Sequence, residues 1–236
     1  MNSRVGPQRL LDRLTMLTGL GAVVLILLGT ELVAPPPGPE TSIATRSEVL
    51  ATALAANADA ARTGAACMLA GVLLLVPFVG RLHGLLVRTS RRGSSMPGAM
   101  LVAGSALVAA ELFGAALALA AGEPDGYTSD PAVAKTLLLL GWNSAYLLAP
   151  SLAAIAVIWT VAGFTTSVLP RAMAWIGAGL VAVLALITLL GGAGLAAMPG
   201  FLWLVILSVT LAARLPTGDG AAEPPVHHRD AGTVAG

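Results

Sequence analysis

Glu111 is the residue best placed to do chemistry in this sequence, because it puts a lone carboxylate inside the apolar run 107-LVAAELFGAA-116. An acid in such a setting can hold a proton, accept a hydrogen bond or neutralise a cation, and ionisable groups inside membrane segments are functional candidates by default. A second polar group lies in 142-WNSAYLLAP-150, which supplies Trp142, Asn143, Ser144 and Tyr146. Other chemistries lack their residues. His83 lies beside Arg81 and Arg88, as expected of a side chain at a membrane interface. With no second histidine inside the apolar runs, a bis-histidyl haem is not expected, and a zinc site lacks ligands. Lys135 stands at the end of an apolar run, out of place for a retinal Schiff base. The single cysteine, Cys67, excludes an internal disulfide. We therefore expect no catalytic residue, cofactor, metal or nucleic acid.

These side chains must be positioned by membrane helices. The chain is 56% hydrophobic and 11% charged, with a mean hydropathy of +0.85, far from the roughly 25% charge of soluble domains. Its apolar mass is Ala, Leu, Val and Gly with 4% aromatics, which suits close-packed helices better than a barrel with aromatic girdles. The expected fold is all-α and polytopic. Runs near the length of about 20 residues needed to span hydrocarbon occur at 15–34, 64–86, 98–121, 137–161, 171–190 and 196–214. The last two are separated by 191-GGAGLAAMPG-200, and a single helix over 171–214 would reduce the six spans to five.

Charge placement favours six. Arg4, Arg9, Arg13, Arg81, Arg88, Arg91, Arg92, Arg171, Arg214 and Arg229 fall on one side of the predicted topology. The other side holds Arg46, Arg62 and Lys135 among seven acids. The positive-inside rule then puts both termini in the cytoplasm. The expected layout is a cytoplasmic N-terminus at 1–14, a six-helix domain at 15–214 and a disordered cytoplasmic tail at 215–236. The first apolar run exceeds the roughly 7–15 residues of a signal-peptide core and reads as an uncut anchor. The first outer loop, 35–63, opens on the stiff run 35-PPPGP-39. The T-x-x-E spacing of Thr45 and Glu48 then predicts a capping box and an extracytoplasmic helix from about Arg46, acting as a cap over the bundle or as a lid.

The order of these features resembles a family of six-helix bacterial integral membrane proteins known only as a domain of unknown function. The likeness rests on 54-LAANADAARTGA-65, the mid-membrane Glu111, 142-WNSAYLLAP-150 and 169-LPRAMAWIG-177, over about residues 10–210. In that family an arginine often precedes the glutamate by three residues; Val108 stands there in this chain. The resemblance implies a six-span topology and no particular activity.

Glu111 lies thirteen residues beyond Gly98, roughly 20 Å along the helix axis and so near the membrane midplane. A charge there costs about 2.5–3.5 kcal/mol, which favours a neutral acid turned toward the bundle. Gly104, Gly114, Ala115 and Ala118 on the same face allow a second helix to come close. The expected partner is Asn143 or Tyr146 in the fourth span, with Pro150 freeing a backbone carbonyl one turn before it. Two functions fit this layout. One is a non-catalytic accessory or scaffold subunit, or a binder of a lipophilic ligand, in which Glu111 serves as packing glue. The other is a small transporter or proton-coupled carrier using Glu111 in a polar pocket, with Pro77 and Pro150 supplying kinked helices. Membrane lipids are expected partners, and a membrane protein or lipophilic small molecule fits the first reading. The oligomeric state is left open. The expected location is the cytoplasmic membrane.

Overall fold

In a computed structural model the described residues, 5–33, 47–91, 93–121, 123, 130–166, 168–190 and 193–214, form seven helices. They are α1 (Val5–Val33), α2 (Ser47–Ala56), α3 (Ala58–Thr89), α4 (Met96–Ala121), α5 (Pro131–Thr165), α6 (Arg171–Leu189) and α7 (Ala193–Arg214). All except α2 contain a stretch long and apolar enough to cross a membrane. The alternative of one helix over 171–214 is excluded, because α6 ends at Leu189 and α7 begins at Ala193. The predicted helix after the first span is α2. Thr45 of the expected capping box and the tail 215–236 lie outside the described residues.

Most helices are longer than their apolar runs. At 35 residues, α5 measures about 52 Å, well beyond a hydrocarbon core of about 30 Å. Hydropathy marks only the stretch that suits lipid, whereas caps mark the helix itself. Asp130 shows this at α5, where its side chain accepts a hydrogen bond from the Ala132 amide at 2.8 Å and Pro131 occupies the first turn. Helices α3 and α5 run without a break through Pro77 and Pro150. Between α3 and α4 the chain turns at Gly93, whose φ of +85° suits a residue without Cβ.

Five helices close a ring: α1 packs on α3, α3 on α4, α4 on α5, α5 on α7, and α7 back on α1. Outside it, α6 leans on α5 and α7, and α2 packs mainly on α5. The tightest seam joins α1 to α3. A Cβ added to Gly29 would lie 2.5 Å from the Gly64 carbonyl oxygen, and one added to Gly64 would lie 2.6 Å from the Gly29 carbonyl oxygen. Backbones this close gain dispersion contacts, a principal source of helix association in lipid.

The main core fills the ring with Met16, Ile26, Leu75, Phe78, Leu107, Trp159, Trp203 and their neighbours. Near the termini the ring is pinned by polar contacts. The Ser208 hydroxyl of α7, fully buried, donates to the Met16 carbonyl of α1. Arg81 of α3 pairs with Asp12 of α1 at 2.5 Å, and His83 Nδ1 lies 3.0 Å from the Pro97 carbonyl oxygen. Arg81 and His83, read from sequence as topology and interface markers, thus also tie helices together. Ser208→Ala is expected to lower unfolding stability by about 1 kcal/mol, read as a lower thermal midpoint in detergent with native oligomeric behaviour retained.

Candidate functional site

Helix α4 carries Glu111 on a stripe of small and apolar residues that includes Gly104, Leu107, Gly114 and Ala118. A Cβ on Gly104 would collide with the Val79 side chain of α3. One on Gly114 would meet Met68 Cε of α3 and Ser144 Oγ of α5, each at 3.4 Å. Gly114 therefore marks the junction of α3, α4 and α5. Glu111 lies one turn nearer the start of α4 on the same stripe, and the stripe decides its burial. The residue is 2% exposed.

Helices α4 and α5 are consecutive spans running in opposite directions. Going back one turn from Gly114 on α4 therefore corresponds to going forward one turn from Ser144 on α5. By helical rise this sets the Glu111 turn of α4 between the turns of α5 that carry Ser144 and Ser151. Those two serines are seven residues apart, which places them on one helix face. Ser151 is buried and Ser144 half-buried. Each serine directs its hydroxyl proton to its own helix: Ser144 donates to the Gly141 carbonyl at 2.6 Å, and Ser151 to the Leu147 carbonyl at a long 3.4 Å. Oε1 of Glu111 is buried with no hydrogen-bond partner.

The expected bond from Glu111 to Asn143 or Tyr146 is corrected by this geometry. Asn143, Tyr146 and Pro150 do share a face of α5, but that face is exposed. The Asn143 amide donates back to the Leu139 carbonyl at 2.7 Å, and Tyr146 is 50% exposed. One residue turns a helix by about 100°, so the step from Asn143 to Ser144 exchanges an outward side chain for an inward one. The Trp142 side chain lies outside the described residues. Ser151 did not stand out in the sequence, although its seven-residue spacing from Ser144 was the available signal.

Glu111 also divides the packing. Leu107 and Ala110 belong to the main core, whereas Ala115 and Ala118 join Ala65 and Met68 in a separate small cluster. The acid thus sits where the two apolar clusters meet. Among the described residues, no group of three or more His, Cys, Asp and Glu side chains gathers to hold a metal ion.

A second set of unpartnered polar atoms lies where α5, α6 and α7 meet. Thr160 Oγ1 and the Nε1 atoms of Trp159 and Trp203 are buried without hydrogen bonds. Gly177 of α6 faces the Thr160 hydroxyl and the Trp203 ring, so its missing side chain permits the contact. Gly177→Leu is expected to loosen α6 from the ring, read as faster proteolysis around residues 165–171 while α1 and α3 stay protected.

No family model, curated protein or solved structure matches this chain.

Proposed function

We propose that the protein is a small non-catalytic membrane carrier that uses Glu111, between α4 and α5, as its proton- or ligand-binding group. The supporting observation is the unpartnered Oε1 of a side chain only 2% exposed. Leaving a buried polar atom unpaired costs about 1–3 kcal/mol. A glutamate serving only as interhelical glue should recover that cost through a bond, and Oε1 makes none. The distribution of basic residues supports an orientation with both termini in the cytoplasm and α2 outside, and in that orientation Glu111 lies near the midplane of the membrane. In this reading Asn143 and Tyr146 face lipid or a partner protein and leave the site to Glu111 and the serines.

The reading is tested by proton release. Purified protein in weakly buffered detergent, taken through an alkaline pH jump with an indicator dye, releases a proton that Glu111→Gln does not. Identical release by the two proteins would remove Glu111 from the function.

The filled ring core and the glycine seam between α1 and α3 favour a second reading, a rigid accessory subunit that presents its lipid-facing surface to another membrane protein or a lipophilic molecule. That reading predicts no proton exchange at Glu111. It also predicts copurification of the same partner with native protein and with Glu111→Gln.

A further inference from the structure

We infer that Glu111 exchanges its proton with one side of the membrane only, the side on which α2 lies, through a crevice between α4 and α5 that ends at Ser144. The inference rests on Glu111 being a proton-binding group, and it names how that group is reached.

The row of α5 residues turned toward α4 changes character at the level of Glu111. Gly114 of α4 marks that row, because a Cβ added to it would lie 3.4 Å from Ser144 Oγ. Leu137, Gly141 and Ser144 share the face by helical spacing, and all three are half-buried. Leu148, Ser151 and Ile155 continue the row and are buried.

The space around the glycines changes in the same direction. A Cβ added to Gly141, one turn from Ser144 toward the start of α5, would meet nothing within 4 Å. At Gly114 it would make ordinary van der Waals contact, and at Gly104, two turns from Glu111 toward the start of α4, it would collide with the Val79 side chain. Open space thus gives way to tight packing along the path past Glu111. On the tight side, Leu107, Gly104, Ala103 and Met100 are all buried, and the start of α4 at Met96 is fifteen residues away, about 22 Å. On the open side, one helical turn separates Glu111 from the level of Ser144.

Helix α2 identifies the open side. It leads into α3 through Asn57 and packs mainly on α5, whose first turns form the half-buried part of the row. The crevice also ends on a polar group, as a water needs. Ser144 gives its hydroxyl proton to the Gly141 carbonyl, which leaves lone pairs on Oγ to accept from water. Among the described titratable groups of the helices packed on α4, Asp59, Arg62 and Cys67 are in the first third of α3, and Arg81, His83 and Arg88 in its last third. Lys135 is near the start of α5, and Tyr146 is on its exposed face. Water in the crevice is therefore the acceptor: the carboxylic acid gives up its proton as hydronium and a carboxylate remains.

The test is cysteine accessibility in the folded full-length protein in detergent, in a Cys67→Ala background. Gly141→Cys, Ser144→Cys, Ser151→Cys and Leu107→Cys are each treated with a charged methanethiosulfonate and, separately, with an apolar maleimide. The charged reagent is expected to modify Gly141→Cys and Ser144→Cys and to leave Ser151→Cys and Leu107→Cys unmodified. Gly141→Leu, which fills open space, is expected to abolish modification of Ser144→Cys and to slow proton release, with the thermal midpoint kept. Modification of the first two positions by the maleimide alone would mean that the row faces lipid, and would overturn the crevice. Equal modification of Ser144→Cys and Ser151→Cys, no modification at any position, or a native rate of proton release in Gly141→Leu would overturn it as well. Proton release at Glu111 without the accessibility pattern keeps the carrier reading and sinks this inference. The pattern without proton release sinks both.

Discussion

Glu111→Leu is expected to leave the bundle at least as stable as the native protein, and to stabilise it by up to about 1–3 kcal/mol, the cost of an unpaired buried polar atom. Leucine is apolar and close in size to glutamate, and it follows Leu107 on the same stripe at the edge of the main core. No interhelical bond from Oε1 is lost, because none is made. The gain in stability should come with loss of proton exchange, the usual relation between a strained site and its function. Equilibrium unfolding in detergent of native protein, Glu111→Leu and Glu111→Gln checks this ordering. A leucine variant that unfolds more readily than native protein, while the glutamine variant is neutral, would make Glu111 a structural rivet.

The second large effect is expected at the α1–α3 seam. Gly64→Leu places a side chain against the Gly29 carbonyl oxygen and the Val33 side chain, where the obstacle includes backbone and cannot move aside as a rotamer. Overpacking costs about 1–3 kcal/mol and occasionally more; a clash with backbone belongs at the upper end. Loss of the monodisperse folded species in size-exclusion chromatography is the readout. Gly80→Leu is the control, because a Cβ there meets nothing within 4 Å, and it should behave like native protein. Equal behaviour of the two variants would mean that α1 and α3 do not hold each other as closely as described.

Membrane helices are legible in sequence because the bilayer imposes one requirement on every span, a long apolar run, and the six runs each mark a helix. Their ends are less legible, since hydropathy registers lipid contact and not hydrogen-bonded caps. Asp130 and Pro131 start α5 six residues before its apolar run for that reason. The site was legible in part. The small residues around Glu111 pointed to a close helix contact, and Gly114 provides it. Which face of α5 meets that contact was not legible, because α5 is apolar almost all round and its neighbours, not its periodicity, set its rotation. Asn143 drew attention as the more polar residue, while the less conspicuous Ser144 and Ser151 occupy the facing side. Serine is easily overlooked in a membrane helix because it can satisfy itself on its own backbone, as both do here.

The central claim, that Glu111 is a binding group and not a rivet, is tested most directly by infrared difference spectroscopy of reconstituted protein during a pH titration. The carbonyl stretch of a protonated carboxylic acid is expected to appear and disappear reversibly in native protein and to be missing from Glu111→Gln. A native spectrum that matches the variant across the titration, or a carboxyl band that does not respond to pH, would contradict the account.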